Sequence, residues 1–164
     1  MERLLPRMRL QPGCNHVLFS PGCSLSADDW QFNAVVADPG SAGWPFEFTL
    51  SGLTRANGGS LPAFTLDWFA GGWIRFGVGG AARSVPVVRS GTVSGGSVTL
   101  TLSRDPAPFP TVGLPVAVWP GCDGFATTCQ AKFGNWLNFG GHPFRPIANP
   151  SLVKLSSTLA GGKK

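Results

Sequence analysis

Apolar and polar residues alternate along much of this chain with a period of two, and a period near four appears only once. Phe32 and Ala34 alternate with Gln31 and Asn33, so residues 30–37 read as a strand with one buried face. Residues 46–50 make a short second strand after a Pro-Gly-Ser-Ala-Gly loop. Residues 65–70 and 73–76, separated by Gly71-Gly72, read as a hairpin whose apolar side chains occupy both faces. Trp68, Phe69, Trp73 and Ile74 are therefore expected to lie under another layer or to form an interface with a partner. Residues 85–88, 97–102 and 114–119 complete the strands, with Val98, Leu100 and Leu102 pointing inward. Gly95-Gly96 and the proline cluster at 106–110 turn the chain between them. Ser26-Ala-Asp-Asp29 resembles a capping box, but only one helical turn can follow it.

The period of four belongs to Phe125, Cys129 and Phe133, one inward face of a short helix that Asp123 caps and Gly134 ends in the left-handed conformation. The expected fold is all-β: a compact antiparallel barrel or sandwich with one short helix near the C-terminal cysteines.

Composition agrees with this pattern. In 164 residues, 23 glycines and 15 prolines disfavour long helices, and 43% apolar against 13% charged residues excludes a disordered chain. Packing falls to six tryptophans and twelve phenylalanines, since tyrosine is absent. One β domain is expected over residues 12–147, between an N-terminal arm (1–11) and a C-terminal tail (148–164). The net charge of +5 gathers partly at the ends, in Arg3, Arg7, Arg9, Lys163 and Lys164. No dense basic run with interleaved aromatics accompanies it, so sequence-specific nucleic-acid binding is not expected. No stretch approaches the roughly 18 apolar residues of a membrane span. Charge and proline interrupt the first nine residues, so no signal peptide is expected there.

Catalytic motifs are missing from the sequence. There is no G-x-S-x-G and no phosphate loop, and Cys14 with His16 would lack a third orienting group. Gly77-Val-Gly-Gly-Ala-Ala82 superficially resembles a dinucleotide fingerprint, but an extended segment with a proline follows it where a helix is required. The chain is therefore not expected to be an enzyme. His16 and His142 read as hydrogen-bonded structural residues.

The candidate chemistry lies in four cysteines. Cys14, Cys23 and Cys122 each follow a Pro-Gly turn, and Cys129 lies on the short helix. Cys122 falls just before the expected helix start, where backbone N–H groups and the dipole favour a thiolate, the form that ligates metal. The gaps are C-x₈-C and C-x₆-C. Zinc sites usually show tighter knuckles, iron–sulfur clusters tolerate irregular spacing, and disulfides require an oxidising compartment. Spacing leaves zinc and iron–sulfur level, with disulfides behind.

Two stretches carry a family resemblance: Gln11-Pro-Gly-Cys-Asn-His-Val-Leu-Phe-Ser-Pro-Gly-Cys-Ser-Leu25, and Gly121-Cys-Asp followed by Cys129-Gln-Ala-Lys-Phe-Gly-Asn-Trp-Leu-Asn-Phe-Gly-Gly-His-Pro-Phe-Arg-Pro146. They resemble the C-terminal cysteine domain of tailed-phage tail-tip proteins, the baseplate hubs of siphophages and gene transfer agents, including the lambda tail-tip protein L type. The resemblance implies a structural virion protein whose Cys14, Cys23, Cys122 and Cys129 hold a [4Fe–4S] cluster joining both ends of the domain. It further implies a homotrimeric ring that meets a distal tail protein and a central fibre, located at the tail tip and made in the bacterial host cytoplasm. Family members usually carry a further β domain before the first cysteine, so residues 1–11 are expected to be a link toward it. Phe125, Phe133, Trp136, Phe139 and Phe144 would form an apolar shell around the cluster, or simply core packing. The alternative is a free-standing zinc or iron–sulfur module that recruits a protein or nucleic-acid partner.

Overall fold

The structure, a computed structural model, describes residues 13–40, 45–77 and 82–142. The expected arm (1–11), the tail (148–164) and Phe144 lie outside the described residues. Six strands follow in chain order: β1 (Phe32–Asp38), β2 (Phe46–Arg55), β3 (Trp73–Phe76), β4 (Arg83–Ser90), β5 (Val98–Leu102) and β6 (Pro115–Trp119). All pair antiparallel and close in the order β1-β2-β5-β4-β3-β6, with β6 bonded to both β1 and β3. The sheet is a barrel, not a sandwich, and closure leaves these strands no open edge.

The chain divides into two compact units. The larger, Val17–Asp123, contains the barrel. The smaller draws on both sides of it in sequence, and its described residues are 13–16 and 124–142.

Alternation builds the barrel interior. Phe32, Ala34 and Val36 of β1, Val98, Leu100 and Leu102 of β5, and Val116 and Val118 of β6 are all buried. Two strands break the period and still bury the right residues. On β2, Leu50 and Leu53 both point inward although three positions apart, because the register against β1 slips between them. Gly52 sits at the slip with φ +66, the left-handed backbone that a bulge of this kind needs and glycine adopts without strain. On β4 a register shift between Val87 and Arg89 likewise turns Ser90 inward and leaves Val88 exposed.

The expected hairpin is half correct. β3 forms, but residues 66–71 are consecutive turns and not its partner strand. Trp68 and Phe69 are neighbours and both are buried, which a strand of period two does not allow. The turns are held by Ala70 N–H to Asp67 C=O and Gly72 N–H to Phe69 C=O, with Asp67 at φ 58. Here Trp68, Phe69 and Ile74 belong to the barrel core. Of the two expectations for these residues, burial under another layer holds, and they offer almost no surface to a partner. Trp73 is half-buried, stacked on Trp119 at 5.5 Å and met edge-on by Phe19 at 5.6 Å.

Ser90 and Asp67 lock this turn segment to β4. Asp67 N–H donates to Ser90 C=O, Ser90 N–H donates to the Asp67 carboxylate, and the buried Ser90 hydroxyl accepts from Phe69 N–H at 3.0 Å. Ser90→Ala would leave the Phe69 N–H unpaired in the core. The expected loss is about 1–3 kcal/mol, read as a lower denaturant midpoint at unchanged m-value.

In the smaller unit the single α-helix among the described residues, α1, spans Ala126–Phe133. Gly134 ends it at φ 61, and its N–H returns to Gln130 C=O, as the sequence predicts. The start differs. Phe125 is the N-cap, in extended conformation, with no side-chain cap. Asp123 therefore does not cap the helix, and Phe125 is 61% exposed and lies off the inner face. Only Cys129 and Phe133 are buried from α1.

Candidate functional site

The two units carry two cysteines each, and none of the four is in a disulfide. In the barrel unit, Cys23 ends a tight turn in which its N–H and that of Ser24 both reach Ser20 C=O. Ser24 adopts φ 56, and its hydroxyl donates to Pro21 C=O. Phe19 of the same turn meets Trp73, while the Trp119 indole N–H donates to Ala27 C=O at 2.9 Å. The loop bearing Cys23 is thus anchored on the Trp73–Trp119 pair that joins β3 to β6.

Cys122 follows β6 by three residues and is positioned by a crossing of two glycine backbones. A Cβ on Gly72 would run into Trp119 C=O and lie 2.7 Å from the carbonyl carbon of Pro120. A Cβ on Gly121 would run into Ala70 C=O and the Gly71 carbonyl carbon. Only glycine at both positions lets these backbones touch, and that contact fixes where Cys122 leaves the barrel. Cys122 was expected at the helix N-terminus. With Phe125 as N-cap, α1 begins four residues after Cys122 in sequence.

In the smaller unit, Cys14 N–H donates to Gly124 C=O at 2.8 Å, and Cys14 Sγ accepts the Gly140 N–H at 3.3 Å. Cys129 is buried on α1, and its Sγ donates to Asn135 C=O at 3.2 Å. Asn135 is itself buried and holds the turn after the helix: its N–H reaches Cys129 C=O, and its side-chain oxygen accepts from the Asn138 amide at 2.7 Å. His16 Nδ1 donates to Asn138 C=O at 3.2 Å, which requires the tautomer with its proton on Nδ1. Gly141 packs so closely on Gly13 that a Cβ there would lie 2.7 Å from the Gly13 carbonyl carbon.

The aromatic residues expected as a shell divide. Phe133 is buried, and Lys132 lies over its ring. Phe139 is half-buried and stacks flat on the exposed Trp136, with planes 4° apart. Phe125 faces solvent. Sequence reasoning passed over Asn135, and it read Gly71-Gly72 only as a turn and not as a close backbone approach.

Four sulfur donors suit zinc or an iron–sulfur cluster and disfavour harder cations. Among the described residues, no three His, Cys, Asp or Glu side chains are gathered as a ready metal-holding group. No described helix is long and apolar enough to cross a membrane.

A chain of the solved virion of the native gene transfer agent (GTA) particle matches with a TM-score of 0.60 and 26% identity, over 86% of this chain and 47% of that one. The chain belongs to the family described as phage conserved hypothetical protein BR0599, whose model matches residues 67–149. That stretch runs from the Asp67 turn through β6, Cys122, α1 and the Gly140-Gly141 pair. An uncharacterized protein of Xylella fastidiosa (strain 9a5c) is 43% identical over 61 residues, which are 37% of this chain and 12% of that protein. The chain thus spans about half of the virion chain and a small part of the Xylella protein.

Proposed function

We propose that this chain is a structural virion protein of a phage tail tip or baseplate hub, in which Cys14, Cys23, Cys122 and Cys129 hold a structural [4Fe–4S] cluster. The observation that carries the reading is the set of four thiols, none spent in a disulfide, each presented by a tight turn, a glycine contact or a helix. The virion setting is supported by the likeness to the gene transfer agent particle. The tail-tip position rests on resemblance to the cysteine domains of tail hubs. On this reading the chain is a scaffold, not an enzyme. Its partners are a distal tail protein and a central fibre, and three copies form a ring around the tail axis. Cyclic closure would make each contact heterologous, one face meeting a different face of the neighbouring copy.

Bound at these residues, a cluster would supply cross-linking to the fold, since each thiolate occupies one corner. Loading would displace the Cys129 hydrogen bond to Asn135 C=O, because a ligating sulfur has no proton to donate. Iron, acid-labile sulfide and zinc should be measured on protein purified anaerobically. About four irons and four sulfides per chain with brown colour are expected. Colourless protein with one zinc replaces the cluster by a structural zinc. Protein without either metal removes the ligand reading. Cross-linking of assembled particles should trap three copies, and purified particles that lack the chain would defeat the virion assignment.

A further inference from the structure

We propose that Gly140 and His16 form an outer shell for Cys14: the Gly140 N–H stabilises the Cys14 sulfur as a metal ligand, and His16 is the positioning residue that holds this N–H in place. The inference rests on the thiolate-ligand reading above, and its geometry lies wholly within the smaller unit. Gly140 N–H donates to Cys14 Sγ at 3.3 Å. An N–H donor complements a sulfur that carries negative charge, and hydrogen bonds to ligand sulfurs tune both metal affinity and cluster potential. The donor is a backbone N–H on a glycine whose open side is covered by two side chains. A Cβ at Gly140 would run into Asn15 Oδ1 and lie 2.7 Å from His16 Cε1 and 2.8 Å from His16 Nε2. The imidazole therefore lies directly against the Gly140 backbone. Its Nδ1–H is bonded to Asn138 C=O two residues earlier, which fixes the strand of chain that delivers the donor. Asn138 is tied in turn to Asn135, whose carbonyl meets Cys129 Sγ. One short network thus ties the segment that carries the Gly140 donor to the turn after α1, with His16 at its outer end.

The roles follow from the chemistry. Reduction adds negative charge to a cluster, so a donor on a ligand sulfur raises its potential, and loss of that donor lowers it. Removal of outer-shell partners typically weakens metal binding about 10–100-fold. The test uses the 164-residue chain carrying His16→Ala, His16→Asn or Gly140→Ala, with His142→Ala as a control at the other histidine. Metal release to excess EDTA is followed on iron-loaded protein, and on cobalt- or zinc-loaded protein should iron be absent. Reduction potential is measured where a cluster is present.

His16→Ala and Gly140→Ala are expected to weaken retention about 10–100-fold and to lower the potential. His16→Asn, whose amide can replace the Nδ1–H donor, should restore wild-type behaviour, and His142→Ala should match it. A purely packing role would lower the Tm of the metal-free variants while leaving retention and potential unchanged, and that result overturns the proposal. So does wild-type retention in both His16→Ala and Gly140→Ala. Wild-type protein that binds no iron, cobalt or zinc overturns the ligand reading itself, and this inference with it.

Discussion

Gly121→Ala is expected to destabilise the barrel by at least about 3 kcal/mol, near the upper end of overpacking effects and well above an ordinary surface substitution. The new methyl would be driven into Ala70 C=O and the Gly71 backbone, rigid main-chain atoms with no rotamer to yield. Relief requires the 70–72 turn to separate from the end of β6. That movement would also strain the paired hydrogen bonds in which Gly71 N–H donates to Val87 C=O and Val87 N–H to Gly72 C=O. A thermal melt should register a fall of about 10 °C or more. Gly72→Ala should behave alike, since its methyl would meet Trp119 C=O and Pro120 from the other side of the same crossing. Because both substitutions force open one contact, their effects should fall well short of additive in the double variant. A Gly121→Ala protein that melts with the wild type would mean that the crossing is slack.

Cys129→Ser carries the other large effect, and it depends on ligation. Structural metals can supply on the order of 10 kcal/mol to folding. Loss of one thiolate should therefore empty the loaded protein of its metal, lower its Tm steeply, and open residues 124–142 to protease. Metal-free protein provides the comparison. There the serine hydroxyl can still donate to Asn135 C=O in place of the thiol, so the substitution costs mainly sulfur packing, an effect of about 1 kcal/mol. A large gap between loaded and metal-free behaviour supports the structural-cluster reading. An iron-free Cys129→Ser variant as stable and as protease-resistant as loaded wild type would sink it.

The barrel was legible where the period of two ran unbroken, as in Val98, Leu100 and Leu102, and at Gly134, whose left-handed backbone leaves few alternatives to a helix stop. It was illegible where something other than local pattern decided the outcome. Trp68-Phe69 looks like strand material, yet the Ser90 and Asp67 hydrogen bonds hold it in turns that bury both rings. The inward positions of Leu53 and Ser90 depend on register slips set by the neighbouring strands. Asp123 has the chemistry of a helix cap, but Gly124 follows at φ 75 and the helix starts only after Phe125. The cysteines were conspicuous in the sequence. Their supports were not, because Gly72, Gly121 and Gly141 matter through atoms they lack, and only the approach of a distant backbone makes that absence necessary.

The smaller unit is assembled from segments on either side of the barrel, which has a bearing on synthesis. Once Asp123 has left the ribosome, every strand of the barrel is available, and its pairing need not wait for the remainder. The smaller unit has no such independence. Cys14 and His16 emerge early, whereas their partners Gly124, Asn138 and Gly140 are made only after the whole barrel sequence. During that interval the first two thiols travel on a nascent chain without the residues that later hold Cys14. On the proposed cluster reading, metal insertion would therefore be confined to the last stage of translation or to the released polypeptide.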